Sequence, residues 1–469
     1  MERILTSAIG VPNSWTQASY VARGGYTSLE RALKMEPTAI IDEVKKANLR
    51  GRGGAGFPCG VKWGFLPKTS NVPKYLVINA DEGEPGTFKD HLLMELDPHR
   101  LIEGCIISGW AMGMRACYVF IRGEMLQEGY RVQGAIDEAY AAGMLGENIR
   151  GTGWTYDIYV HHGAGAYICG EETALIEALE GKAGQPRLKP PFPAVVGVFS
   201  CPTIVNNVET IACIPTIIER GGDWWFQQGH WYQKGQAMLA EHGAATLEEV
   251  EDEALKAKIK GYLEHRGGGG PKMVGLSGHV KNPGVFEVPH GFSLQELIHS
   301  PEYGGGPRLG ADGKPKKIKA VIPGGASCPV LLPAQLDVGL DFESMVVPED
   351  KGGPGTMLGT ACALVMDEDT CMVRVAANLA HFYHHESCGQ CTPCREGSGW
   401  TARVLDAIEN GVAEMKDVEL LLDICDNVEG NTICPFGDAL AMAVRSYVTK
   451  FREEFIRHVE EGGCPYPHW

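Results

Sequence analysis

The chain has 469 residues, of which 44% are hydrophobic, so it can bury the cores of two to four domains. Its formal charge of −17, without a long run of lysine and arginine, excludes a nucleic-acid partner bound through phosphate neutralisation. No apolar run reaches the roughly 18–20 residues that a membrane span needs. The N-terminus also lacks the pattern of a signal or transit peptide. We therefore expect a cytoplasmic chain without direct membrane insertion.

Five regions that differ in composition and predicted secondary structure follow one another along the chain. They are residues 1–60, helical and ending in a glycine-rich loop; 61–230, α/β; 231–270, a charged helical insert; 271–358, a small β-rich domain; and 359–469, a helical bundle. In the second region, buried β-rich runs at 75–80 and 116–123 alternate with helical segments, which predicts a mainly parallel sheet with both faces covered. The fold class is therefore α/β with two smaller domains.

A glycine-rich loop, Gly51 to Gly56, matches the pattern G-x-G-x-x-G. The standard dinucleotide fingerprint follows a strand, whereas this loop follows a helical pattern, so we reject that fold here. Consecutive glycines can still turn backbone N–H groups toward a phosphate, although a purely structural linker is the alternative. Charged and aromatic side chains near the loop would assist binding: Arg52, Lys62, Lys68, Phe57, Trp63 and Phe65.

Acidic residues follow two of the predicted strands. Asp81, Glu82 and Glu84 come after the run 75–80, and Glu171 and Glu172 lie between a strand and a helix. Carboxylates at such strand ends hydrogen-bond the ribose of a nucleotide, and one beside an adenosine ribose repels a 2′-phosphate, which would select NADH over NADPH. Stabilisation of a helix N-terminus is the alternative.

Two weaker signals belong to the same region. Phe192 stands in a rigid proline-rich segment, and Asn206 and Asn207 offer paired amides.

The strongest signal is the motif Cys388-Gly-Gln-Cys391-Thr-Pro-Cys394, with Cys434 followed by proline far downstream. Three thiols in one tight loop and a distant fourth form the usual ligand set of a [4Fe–4S] cluster. Structural zinc more often uses paired C-x2-C knuckles, although histidines 381, 384 and 385 keep zinc open. Cys425 is an alternative fourth ligand.

Together these motifs resemble the NADH-binding flavoprotein subunit of respiratory complex I. The matching segments are 48–63, 79–90, 163–181, 189–194, 202–210, 278–284 and 385–397. The resemblance implies a modified Rossmann-like FMN/NADH domain, a ubiquitin-like β-grasp domain of the SLBB type and a helical bundle that holds the cluster. Cys59 and Gly64 depart from the family pattern, where threonine and serine are usual.

The resemblance also implies the site residues. FMN would contact Gly51, Arg52, Gly53, Lys62, Asn79, Asp81, Glu82, Gly170, Glu171, Asn206 and Asn207. NADH would contact Phe57, Phe65, Glu84, Glu172, Lys189 and Phe192. The cluster would be held by Cys388, Cys391, Cys394 and Cys434. We expect no catalytic acid or base, because the hydride passes directly from NADH to FMN.

The implied enzyme is an NADH dehydrogenase of the NADH:quinone oxidoreductase (translocase) type. Its implied partners are a [2Fe–2S] thioredoxin-like subunit and a larger iron–sulfur subunit, which would hold the chain on the inner face of the bacterial plasma membrane. The nearest alternative is the diaphorase subunit of an NAD-linked hydrogenase or formate dehydrogenase. An alternative of another class is a non-catalytic iron–sulfur scaffold. The role of the insert stays open.

Overall fold

A computed structural model describes residues 2–466. Its α-helices are α1 (Gln17–Ala22), α2 (Thr27–Ala32), α3 (Pro37–Lys46), α4 (Cys59–Trp63), α5 (Asp90–Leu96), α6 (Pro98–Met112), α7 (Leu126–Ala141), α8 (Glu172–Leu179), α9 (Val208–Ala212), α10 (Ile214–Arg220), α11 (Gly222–Gln227), α12 (His230–Glu241), α13 (Glu253–Leu263), α14 (Leu294–His299), α15 (Met372–Glu386), α16 (Thr392–Glu409), α17 (Met415–Val428), α18 (Pro435–Lys450) and α19 (Arg452–Glu460). Its strands are β1 (Tyr75–Ala80), β2 (Ala116–Ile121), β3 (Asp157–His162), β4 (Thr203–Asn207), β5 (Pro271–Gly278), β6 (Gly284–Pro289), β7 (Ile318–Ile322) and β8 (Cys362–Asp367).

The first sheet is parallel, in the order β3-β2-β1-β4. Its central strands are apolar and buried on both faces, as the sequence predicted. Leu76 and Ile78 of β1 pack with the helices on one face, whereas Val77 belongs to a core shared with α8 and the C-terminal bundle. Helix α8 and the bundle therefore share the core on the second face of the sheet, which brings the cysteine motif close to the strand ends.

The second sheet is mixed, in the order β6-β5-β8-β7, with β5 and β8 parallel and the outer pairs antiparallel. It packs with α14 around its own apolar core, which includes Val274, Leu297 and Val365. Its strand β8 lies beyond the predicted boundary at residue 358. Glu209 of α9 accepts a bond from the Met273 backbone N–H at 3.0 Å and so joins the two sheets.

The C-terminal region is a helical bundle of α15–α18, with α19 packed against its end. Apolar residues at spacings of three and four, such as Met372 and Leu379, turn inward to its core.

The charged insert forms a helical hairpin of α12 and α13. It has a small core of its own, made of Leu239, Val250 and Ile259. Trp231, which stacks on Tyr262, anchors it through an indole bond to Asp341 at 2.8 Å. Across residues 2–466, no helix has the length and hydropathy of a membrane span.

Candidate flavin and iron–sulfur sites

The predicted flavin residues gather at the carboxyl edge of the parallel sheet, between β1 and β4. Strands β2 and β3 lie on one side of β1 and β4 lies on the other, so the order in which strands are added to the sheet reverses at this point. Such a switch point is where open α/β sheets bind ligands. Asn79 is paired in register with Asn207, and its amide donates to the Gly170 carbonyl at 2.7 Å. The strand ends thus bring these three predicted residues together.

The glycine-rich loop lies against the same edge. It runs between α3 and α4, which confirms that it is not the standard strand-preceded fingerprint. A Cβ atom on Gly53 would lie 3.1 Å from the Cβ of Asn207, so only glycine lets the loop approach β4 this closely. The Gly51 N–H donates to the Phe57 carbonyl at 2.9 Å and closes the loop.

Asp81 is the most perturbed acid at this edge. Burial raises the pKa of its carboxyl to about 7, while Arg122 opposes the shift. Within residues 2–466, no hydrogen bond reaches this carboxyl, although its own backbone N–H donates to Asn79. A half-buried carboxyl without a hydrogen-bond partner among the described residues is a group that a bound ligand can satisfy.

Four charged side chains form a network beside the loop. Lys62 Nζ lies 3.0 Å from Glu172, and Lys189 Nζ lies 3.4 Å from Glu172 and 2.8 Å from Glu171. Burial alone would raise the pKa of Glu172, but the two lysines outweigh it and lower the pKa. Glu171 also accepts the N–H groups of Thr173 and Ala174, so it caps α8. The network holds two carboxylates and two amines next to one another beside the glycine-rich loop.

Several side chains that were predicted to contact FMN are instead hydrogen-bonded to other parts of the protein. The Arg52 guanidinium is fully buried and donates to His290 Nδ1 at 2.6 Å and to the Gly269 carbonyl at 3.0 Å. It faces the second domain, so a contact of its guanidinium with FMN does not fit this geometry. Glu82 accepts the N–H groups of Lys89 and Asp90 at 2.8 and 2.7 Å and thereby caps α5.

Asn206 and Asn207 are likewise bonded within the protein. The Asn206 carbonyl accepts the Trp63 indole N–H at 2.9 Å, and Asn207 caps α9. Trp63 is 1% exposed, so it packs in the core and presents no ring face, contrary to the prediction. The Asn206 amide lies 3.7 Å from the sulfur of Cys59, where the family usually has a threonine.

Glu84 links the first domain to the second. Its carboxylate accepts the Ser327 backbone N–H at 2.7 Å and the hydroxyl groups of Ser327 and Tyr167. Burial raises its pKa despite these bonds. Tyr167 lay within a matching segment and could have been found, whereas Ser327 carried no sequence signal.

Three of the predicted aromatic rings are accessible. Phe57 and Phe65 lie 5.8 Å apart between ring centroids. They are 46% and 57% exposed, and Phe192 is 58% exposed, so all three offer ring faces at the surface of the site.

The four predicted cluster cysteines come together at one end of the bundle. Cys391 is the N-cap of α16, Cys394 lies in its first turn, and Cys434 is the N-cap of α18. Burial and the neighbouring thiols raise the pKa of Cys394 to about 11. Burial also raises the pKa of Cys434 to about 12, with Glu171, Cys388 and Cys394 adding to the shift. The cysteines therefore lie close to one another and to the flavin edge.

The alternatives at this motif find no support among the described residues. The neighbours that shift the pKa of Cys425 are Arg445, Glu429 and Asp426, and none of the four motif cysteines is among them. His381 pairs with Asp406 at 2.8 Å and His385 with Glu386 at 3.0 Å, both on exposed helix faces.

A separate cavity of about 470 Å³ lies between α16 and α17, beside Thr392 and Trp400. It is lined by none of the predicted FMN or NADH residues.

Comparison with known proteins tests the fold class, the cofactors and the family. Three family models match: the Nuo51 FMN-binding domain over residues 44–216, the SLBB domain over 273–331, and the NADH-ubiquinone oxidoreductase-F iron-sulfur binding region over 374–458. They confirm FMN and the iron–sulfur cluster as cofactors, and also the fold class.

Relatives match over almost the whole chain. The second NADH-quinone oxidoreductase F subunit of Rhizobium meliloti (strain 1021) is 47% identical, over 99% of each chain. The NADH-quinone oxidoreductase F subunit of Rhodobacter capsulatus is 45% identical, over 97% of this chain and 94% of the relative. A solved NAD+-reducing [NiFe]-hydrogenase is 30% identical with a TM-score of 0.75, but this chain covers 68% of it. The predicted NADH dehydrogenase activity is confirmed, and the chain belongs to the family of NADH-quinone oxidoreductase F subunits.

Proposed function

We propose that this chain admits electrons from NADH to a quinone-reducing assembly through a pocket at the β1/β4 edge, next to the cysteine motif. The observation that carries this proposal is a hydrogen bond at 3.0 Å from the Tyr167 backbone N–H, three residues before Gly170 of the predicted flavin set, to the Glu386 carboxylate, two residues before Cys388. A flavin held by the edge would therefore lie near a cluster held by the cysteines.

The residues present fit both groups. The four thiols supply a complete ligand set, and three of them, Cys391, Cys394 and Cys434, stand at helix N-termini whose dipoles favour an anionic centre. The glycine loop is open at Gly54, where an added Cβ would meet nothing within 4 Å, and the Asp81 carboxyl faces the edge without a bonded partner among the described residues. When bound, FMN accepts the hydride of NADH and the cluster accepts electrons one at a time.

The residues of this chain bind FMN and orient it. We propose that Gly51, Gly53 and Gly170 offer backbone groups to FMN, while Asn79 and Asp81 bond its polar edge. Lys62 supplies positive charge, and Glu171 holds Lys189 in place. The family positions Arg52, Glu82, Asn206 and Asn207 support this pocket mainly by holding its walls.

For NADH, Phe57, Phe65 and Phe192 supply accessible rings against which a nicotinamide or adenine can stack. Glu172, kept ionised by Lys62 and Lys189, repels a 2′-phosphate. Glu84 bonds residues of both domains and so fixes the far wall. No side chain needs to act as an acid or base.

Partners and location follow from the family. Relatives are named as a single subunit of a larger enzyme, and the solved structural neighbour is named as a hydrogenase. We propose a [2Fe–2S] thioredoxin-like subunit and a larger iron–sulfur subunit as neighbours, and a location on the inner face of the plasma membrane through them. The diaphorase alternative is less favoured, because the quinone-reductase relatives match this chain from end to end at higher identity.

The test compares two aspartates at opposite edges of the same sheet. Asp81→Ala removes the unsatisfied carboxyl and should lower FMN affinity at least tenfold, about 1.4 kcal/mol. Asp157→Ala, which breaks a surface pair with Arg115 at the start of β3, should leave FMN affinity unchanged. Flavin fluorescence on titration measures both constants. Equal affinities in the two variants would contradict the placement of the pocket.

A further inference from the structure

A second group of metal-type ligands lies at the end of the bundle that does not carry the cysteine motif. Cys371, Glu409, His458 and Cys464 each place one donor atom within 4.8 Å of the others. Helix α15 has 15 residues and spans about 22 Å between this group and Cys388. The group is therefore separate from the iron–sulfur ligands. We propose that it binds one structural zinc ion.

Four of the six separations lie within about 0.3 Å of the edges of a zinc tetrahedron, and the other two are below 4.8 Å. From Zn–S of about 2.3 Å and Zn–N or Zn–O of about 2.0–2.1 Å, neighbouring ligands should lie about 3.8 Å (S to S), 3.5 Å (S to N or O) and 3.3 Å (N to O) apart. Cys371 Sγ lies 3.5 Å from Cys464 Sγ, 3.2 Å from His458 Nε2 and 3.7 Å from Glu409 Oε2. His458 Nε2 lies 3.3 Å from Glu409 Oε2.

The donor atoms of His458 and Glu409 point toward one another because the second polar atom of each side chain is bonded to another residue. His458 Nδ1 lies 2.6 Å from the Glu454 carbonyl, so this nitrogen carries the proton and donates it, leaving Nε2 as the lone-pair side. Glu409 Oε1 accepts from Arg374 at 2.7 Å, which leaves Oε2 facing the group. The Arg374 backbone N–H donates to Cys371 Sγ at 3.3 Å, a bond that favours a thiolate.

Charge also balances for a divalent ion. Binding releases the two thiol protons, so the thiolates and the carboxylate bring three negative charges. Zinc supplies two positive charges and Arg374 one, which leaves the buried site neutral. Cys371 is 2% exposed and His458 is fully buried, while Glu409 and Cys464 are half-buried. The four protein donors fill all positions of a tetrahedral ion, so no catalytic water is implied.

The ion would fasten the C-terminal tail. The four ligands come from the N-cap of α15, the last residue of α16, α19 and the tail beyond it. Next to them, Lys319 of β7 donates to Tyr466 at 2.9 Å and pairs with Glu454. A zinc ion would therefore tie the tail to the bundle end, next to the contacts that Lys319 makes from the second domain.

Metal analysis of the full chain, purified anaerobically with its cluster, tests the proposal. We expect one zinc per chain beside four iron, and a zinc absorption edge fitted by two sulfur and two nitrogen or oxygen ligands. Cys464→Ser, in the partly exposed tail, should lose the zinc while iron content and the cluster EPR signal persist. Cys425→Ala, which removes a buried thiol outside the group, should keep the zinc.

Several outcomes would overturn the proposal. They are less than a tenth of an equivalent of zinc in the wild type, unchanged zinc in Cys464→Ser, a fifth iron in place of zinc, or a disulfide-linked peptide containing Cys371 and Cys464 in the anaerobic protein. A zinc edge with four sulfur ligands would assign the ion to the cysteine motif and would also refute the site.

Discussion

The flavin edge and the cysteine end of the bundle both collect ligands from distant segments, but they hold them differently. At the bundle end, three of the four thiols stand at helix N-termini, and the four make few bonds to the rest of the protein. At the sheet edge, Arg52, Glu82 and Asn207 are bonded into helix caps and the domain interface. Replacing a cysteine should therefore act on one cofactor alone, whereas replacing an edge residue should act on stability and binding together.

The largest expected effect is at the cysteines. Cys434→Ala should abolish the cluster EPR signal and its iron while FMN stays bound, because three ligands cannot close the site. Cys425→Ala is the matched control and should keep the signal. If Cys434→Ala retained the cluster and Cys425→Ala lost it, the fourth ligand would be Cys425.

The next prediction distinguishes a residue that stabilises the fold at the sheet edge from one that binds FMN. Arg52→Met leaves His290 and two carbonyls without their buried donor and should cost about 3 kcal/mol of unfolding free energy, measured by denaturant titration. Arg115→Met, which breaks a surface ion pair, should cost about 0–1 kcal/mol. A large loss of FMN affinity in Arg52→Met at unchanged stability would show that the Arg52 guanidinium does contact FMN.

A smaller effect concerns cofactor selectivity. Glu172→Gln removes a negative charge and should raise the NADPH-to-NADH ratio of kcat/KM about tenfold, or 1.4 kcal/mol. Because Lys62 and Lys189 lower the pKa of Glu172, its charge is lost only below its ordinary range, so wild-type selectivity should stay constant from pH 7 to 8, where the 2′-phosphate is also fully charged. Glu177→Gln on the same helix is the control. An unchanged ratio in Glu172→Gln would show that this residue does not determine the preference for NADH.

The smallest effect should come from the helical hairpin. Gly235 and Leu263 are adjacent, so residues 234–261 can be replaced by a short glycine–serine linker that keeps Tyr262 under Trp231. Because the hairpin packs mainly on its own core, NADH–ferricyanide activity should be unchanged. Lost activity with retained FMN would show that the hairpin supports the site.

The sequence predicted most where ligands are close neighbours along the chain. The spacing of Cys388, Cys391 and Cys394 identified the cluster, and the apolar runs 75–80 and 116–123 became β1 and β2. The resemblance supplied the residues at the flavin edge, but it could not say that Arg52 turns to the second domain or that Trp63 is buried. Those directions depend on which domain packs against the loop.

By itself, the sequence determined the chemistry of this protein: four thiols for a cluster, a glycine loop and acidic strand ends for a flavin and a nucleotide. Only the tertiary structure decided that the bundle covers the sheet, so that Cys434 comes close to Glu171. It alone assembled Cys371, Glu409, His458 and Cys464. The reason is that local spacing fixes a short motif, whereas a site built from four separated helices and loops exists only after their apolar faces have packed.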